Sequence, residues 1–193
     1  MSILKSLLLS LSLLFSTTSL KAAERYLFDQ SHTDIYWFAS HFGFSKSSGK
    51  FTAFDGYIDI NQQQPELSRV AITIETASVN TGLKKFDEHL ISDDFFASSE
   101  YPTASFISHE IEIIDHQTAK IHGKFTLLGK TKPLTLLAVK NQIGVNPYNQ
   151  KTTAGFTVTG SFKRSAYGMN FGLPGIGDEI ELLIEAEAIK ESS

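Results

Sequence analysis

The stretch Asp178-Glu179-Ile180-Glu181-Leu182-Leu183-Ile184-Glu185-Ala186-Glu187-Ala188-Ile189 decides the fold class. Every even position from 180 to 188 is apolar, and most of the residues between them are Glu. Successive side chains of a β-strand point to opposite faces, so this is a strand with one dry face and one wet face. The same alternation runs through Val70, Ile72 and Ile74, then through Ala119, Ile121, Gly123, Phe125 and Leu127, and again through Ala154, Phe156, Val158, Gly160 and Phe162. Less regular strands are predicted over Tyr26–Asp29 leading into Thr33–Ser40, over Gly49–Asn61, Thr103–Ile114 and Lys132–Lys140.

The total is about eight strands, separated by turn signals at Gln64-Pro65, Asp115-His116-Gln117, Leu128-Gly129-Lys130, Asn146-Pro147-Tyr148-Asn149 and Pro174-Gly175. One segment departs from period two. In Leu83–Ile91 the residues Leu83, Phe86, Leu90 and Ile91 share one side at helical spacing, with Thr81 as the candidate N-cap. The expectation is therefore an all-β, single antiparallel domain of about eight strands with one short helix. Periodicity alone leaves two architectures open: a sandwich whose inner faces fill each other, or a closed barrel with room for one small ligand.

Residues 1–23 read separately. Lys5 precedes an apolar run, Leu7–Phe15, and small residues follow to Ala22 and Ala23. A positive start, a short apolar core and a small-residue end form a secretory signal peptide, expected to be removed and to deliver residues 24–193 to the periplasm. The apolar run is too short to cross a bilayer, which takes about 20 residues. There is no Cys, so neither a disulfide nor a thiolate centre is available.

The whole chain has 17 Lys plus Arg against 21 Asp plus Glu, a formal charge of −4. Removing residues 1–23 takes away Lys5 and Lys21 and no acid, leaving 15 against 21, or −6. That balance argues against a nucleic-acid partner, which needs a basic footprint. Phe is the outlying count at 15. Such aromatics either fill a β core or line a cavity.

Several stretches resemble the YceI-like family of bacterial periplasmic proteins, from Tyr26 to about Ala188. Asp29-Gln30-Ser31-His32-Thr33 with Ile35, Trp37 and His41 resembles the opening strand, and Gly49-Lys50-Phe51 with Phe54 and Gly56 the next. Asn80-Thr81-Gly82, Asp87-Glu88-His89-Leu90, Asp94-Phe95-Phe96 and Tyr101–Phe106 resemble the central signature. Gly123–Leu127 with Gly129 and Thr131 resembles the later hairpin. Arg164-Ser165 with Tyr167-Gly168-Met169 and Gly177-Asp178 resembles the closing motif. Two positions depart from the pattern: Thr33 stands where Ser is frequent, and Phe86 where Arg is common. The resemblance implies a lipocalin-like barrel with a long apolar tunnel and a long-chain lipid or isoprenoid ligand.

On that reading the candidate tunnel residues are Ile35, Trp37 and His41 on the first strand, and Phe51, Phe106, Phe125 and Phe156 on apolar faces of others. Phe95, Phe96, Met169 and Phe171 sit in connecting segments that could gate a barrel mouth. His32, His89 and Arg164 are candidates for a headgroup at the mouth, and Arg164 could equally pair with Asp87. The six His form no H-x-H, H-x-x-x-H or H-E-x-x-H pattern, so no metal is expected. No nucleophile elbow or paired carboxylates stand out. Neither a cofactor nor a catalytic residue is expected. The leading expectation is a non-enzymatic carrier of an isoprenoid quinone, a polyprenyl compound or a fatty amide. Two rivals are a lipid isomerase or cyclase using His41, His89 and Arg164, and a scaffold partner of a membrane redox component. Edge strands could also pair in a homodimer, and transient membrane contact would suit a lipid carrier.

Overall fold

The computed structural model describes residues 22–192. The signal-peptide reading of residues 1–23 therefore lies outside the described residues, apart from Ala22 and Ala23. Eleven strands form one continuous antiparallel sheet: β1 (Glu24–Phe28), β2 (Asp34–His41), β3 (Ser45–Phe51), β4 (Phe54–Ile60), β5 (Arg69–Glu75), β6 (Val79–Asn80), β7 (Thr103–Ile113), β8 (Thr118–Leu127), β9 (Lys130–Val145), β10 (Thr152–Lys163) and β11 (Ile176–Lys190). Among the described residues the one α-helix, α1 (Lys84–Leu90), lies between β6 and β7.

Eleven strands make eight staves. β11 pairs along one edge with both β2, from His41↔Ile176 to Asp34↔Glu185, and β1, from Phe28↔Ala188 to Tyr26↔Lys190. β1 and β2 are thus one stave broken at residues 29–33. β3 pairs with β2 while β4 pairs with β1, so they form the second stave, broken at Thr52-Ala53. β5 and β6 form the third in the same way. The others follow in chain order, and the β1–β11 pairing closes the ring. The structure is a closed eight-stave antiparallel barrel with one short helix, and it settles the choice between sandwich and barrel.

The stretch 178–189 shows why. Ile180, Leu182, Ile184 and Ala186 face the barrel interior, yet the first three are only half-buried. Val70, Ile72 and Ile74 on β5 and Ile121 on β8 behave alike. A packed sandwich would have buried these side chains completely. They line a space instead.

The first break in the sheet is stitched by Thr33. Its hydroxyl donates to the Glu187 carbonyl at 2.9 Å and accepts from the Glu187 amide at 3.1 Å. A hydroxyl is all this stitch needs, so Thr serves where Ser is frequent. At β1 the ring is held from outside by Arg25, bidentate to Asp59 at 2.7 and 2.8 Å and stacked over Tyr57. Gly123 on β8 faces inward beside Phe106 on β7, and a Cβ there would fall on the Phe106 ring. Glycine at this position lets that ring lie against the wall.

The predicted helix is present, but Thr81 is not its N-cap. Leu83 takes that position with no side-chain bond. The capping runs in reverse: Asp87 Oδ1, inside the helix, accepts from both the amide and the hydroxyl of Thr81 at 2.7 Å. The Gly49–Asn61 segment, expected as one strand, is likewise β3 and β4, because its two halves pair with different partners.

Candidate ligand-binding site

An elongated cavity of about 910 Å³ runs inside the barrel. That is near the upper end of ligand pockets, about 300–1,000 Å³. Its wall is almost wholly apolar over the middle. Small side chains, among them Ala39, Ala104, Ala138 and Ala186, give it clearance, and Ile, Leu, Val and Phe supply the surface.

Ile35, Trp37 and His41 on β2, Phe51 on β3 and Phe106 on β7 all line this space, as do Phe125 on β8 and Phe156 on β10. Trp37 is buried, and its indole Nε1 has no hydrogen-bond partner among the described residues. A buried donor left without a partner costs stability unless something else accepts from it.

α1 and the segment after it lie across one end. Phe86 meets Trp37 edge-on with ring centroids 6.5 Å apart, and Phe96 meets Phe51 at 5.5 Å. Phe95, Phe96, Met169 and His89 also reach the cavity here. Phe86 therefore packs as a wall residue where Arg is common.

Three expectations need correction. Phe171 does not line the cavity. It is 43% exposed and packs from outside on Phe95 and His89, because the 168–175 segment turns over the barrel rim. His32 is also outside, exposed on the outer surface, where Nδ1 bonds Asp29 at 2.8 Å. That bond holds the Asp29 carboxyl below its usual range and raises the His32 pKa.

Arg164 is not a free headgroup contact. It is 1% exposed, and its guanidinium donates to four backbone carbonyls: Gly177 from Nε, Met169 from Nη1, and Phe171 and Ile176 from Nη2, at 2.8–3.0 Å. Burial lowers its pKa while the charge of Asp178 opposes the shift, and a guanidinium remains charged regardless. Nor does it pair with Asp87, whose carboxylate is engaged by Thr81.

His41, His89 and Arg164 all border the cavity, and none hydrogen-bonds another among the described residues. His89 Nε2 faces Asp94 at 2.8 Å, and His41 packs edge-on against Phe42.

Asp178 completes the Arg164 cage by accepting from the amide and hydroxyl of Ser165, both at 2.9 Å. Burial works against its charged form, but the Ser165 bonds and the nearby Lys163 and Arg164 outweigh it and leave its pKa below the ordinary 3.8. A depressed carboxyl adds stability that is present above the unfolded pKa and lost as pH falls through the folded one. Asp178→Asn should therefore lower the melting temperature at neutral pH, and the gap to the unmodified protein should close below about pH 4. Melting curves across pH 3–7 check this. A gap of constant size would mean the carboxylate charge is irrelevant.

Sequence spacing missed one grouping of ligand-type atoms. Asp29, His32 and Glu187 each offer an atom within 4.8 Å of the others, brought together by the register of β11 against the first break. The Asp29–His32 bond and the Ser31 amide on Asp29 Oδ1 already account for the turn.

The opposite end of the cavity was missed as well. There the lining turns polar, with Asn61, Gln62 and Arg69 near the β4–β5 connection, His116 and Gln117 in the β7–β8 turn, and Lys140 on β9.

Comparison with known proteins agrees with this geometry. The family model of the YceI-like domain matches residues 26–188. The YceI protein of Escherichia coli is 34% identical over 182 residues, covering 93% of this chain and 94% of that protein. The Campylobacter jejuni YceI crystal structure superposes with a TM-score of 0.70 at 31% identity, covering 79% of this chain and 90% of the other. A polyisoprenoid-binding domain from Saccharophagus degradans shares the fold with a TM-score of 0.66 at 12% identity, over 88% and 99% of the two chains.

Proposed function

Since this chain belongs to the YceI-like domain family, we propose that it is a periplasmic binding protein that carries or sequesters one long-chain apolar molecule in the barrel. The candidates are an isoprenoid quinone, a polyprenyl compound or a fatty amide. The observation behind this reading is the continuous apolar cavity of about 910 Å³. Each CH₂ group buried there contributes about 0.8 kcal/mol, so a chain of ordinary lipid length binds firmly with no catalytic group involved. The polyisoprenoid-binding domain of S. degradans, with the same fold, supports the isoprenoid end of this range. Residues 1–23, with their signal-peptide layout, support export.

Native mass spectrometry of protein purified from the periplasm tests the proposal, together with extraction and identification of whatever is released. The expected result is a stoichiometric long-chain species. The sole Trp provides a second reading, since Trp37 lies in the cavity wall. Titration with a quinone or polyprenol should quench or shift its emission to a one-to-one end point. Protein that emerges empty, takes up no lipid from an extract and shows no change in emission would refute a binding role.

A further inference from the structure

Strand β9 carries Leu134, Leu136, Ala138 and Lys140 on one face. The first three are buried and line the cavity, and Lys140 continues their period-two row onto the same wall. It pairs across the sheet with the cavity residue Phe156, just before the bulge that ends this register. Its ammonium makes no hydrogen bond or ion pair with any described residue. Lys140 is thus a half-buried residue at the end of an apolar wall, and its ammonium has no ion-pair partner among the described residues.

The neighbouring cavity-lining groups do not provide one. The Arg69 guanidinium is held by the carbonyls of Glu66 and Ser68 and by no carboxylate. His116 is exposed and makes no side-chain bond among the described residues. Asp115 is the one carboxylate in the lining here, and its Oδ1 accepts from the amides of Gln117 and Thr118. A chain with net charge −4 thus gathers Lys140, Arg69 and His116 beside a single carboxylate at one end of its tunnel.

From this placement we infer that the polar end of the ligand is an anionic oxygen head, a carboxylate or a phosphate, and that Lys140 is its specificity-determining contact. The inference rests on the binding role proposed above and deepens it. The tail lies toward α1 and the aromatic residues around it, and the head lies at the β4–β5 and β7–β8 end. An ammonium prefers a charged oxygen to a neutral amide of the same length, because the charge-assisted hydrogen bond is roughly twice as strong.

The test is displacement of a fluorescent apolar probe, N-phenylnaphthylamine, by three ligands of equal chain length: hexadecanoate, hexadecanamide and hexadecyl phosphate. The expected result is an anionic ligand that binds at least about tenfold more tightly than the amide, a difference of about 1.4 kcal/mol. Lys140→Met should abolish that preference, and Lys140→Arg should keep it. Lys140→Gln serves as a second neutral variant should the Met form fold poorly. A preference for hexadecanoate alone names a carboxylate, and one for hexadecyl phosphate alone names a phosphate. Equal affinities for all three ligands, or a preference that survives in Lys140→Met, would overturn the inference while leaving the binding role intact. Failure of all three ligands to displace the probe would also overturn the inference, and failure of a polyprenol and a quinone to displace it as well would overturn the binding role.

Discussion

Arg164→Ala is expected to lower the stability of the barrel by roughly 3–5 kcal/mol, which for a domain of this size moves the melting temperature by about 10 °C or more. The side chain is 1% exposed and gathers four carbonyls, two from the segment between the last two strands and two from the start of β11. Its removal leaves those four acceptors without their donor and opens a void next to Tyr167 and Met169, both buried. Burying an acceptor without a donor is costly for each group lost. Arg164→Lys should recover only part of the loss, because an ammonium lacks the planar fork that serves several carbonyls at once. Lys163→Ala, one position away and exposed, should change little. Differential scanning calorimetry of the three variants decides the matter. An Arg164→Ala protein that melts within roughly 2 °C of the unmodified one would show that the cage is dispensable.

The second large effect concerns binding. Ala138 and Val139 are adjacent on β9 but face opposite ways: Ala138 lines the cavity, and Val139 is 37% exposed on the outer wall. Ala138→Phe places a ring in the tunnel and cuts it short. If that excludes four CH₂ groups of the ligand, the loss is about 3 kcal/mol, or roughly a hundredfold in affinity. Val139→Phe adds the same ring to the outside and should leave affinity unchanged. Ligands short enough to fit one side of the obstruction should bind both variants alike. Isothermal titration with a homologous series of fatty amides measures this. Equal weakening by the two substitutions would mean that the cavity is not where the chain lies.

Much of this could be read from residues, and the failures have identifiable causes. Period two located β5, β7, β8, β10 and β11, and it put Ile35, Trp37 and Phe125 on the inner wall, because side-chain direction in a strand is a local property. The break at residues 29–33 shows in the sequence as the gap between Tyr26–Asp29 and Thr33–Ser40, but the one at Thr52-Ala53 does not, because it arises from a change of partner strand, which local pattern does not encode. Arg164 was misread for a related reason. Its partners are backbone carbonyls, which every residue carries, so nothing in the side-chain sequence marks them. His32 was placed with the headgroup residues because the motif that contains it resembles a family signature; its alternation with inward residues ends at the first break. Lys140 stands two positions after Ala138 in an inward row, so its place on the wall is legible from period two, but no motif marks it as a contact.

The half-buried inner wall of Ile180, Leu182, Ile184, Val70, Ile72 and Ile74 has a consequence for the lifetime of the molecule. Such a wall is an unfinished core, and any molecule that occupies it completes the protein from within. A tight occupant present at about a hundred times its dissociation constant adds about 2.7 kcal/mol to the folded state. Loading and survival then become a single equilibrium. If the barrel binds as proposed, its empty form opens first to heat and to proteases, and a cell short of the ligand would also come to hold less of the protein.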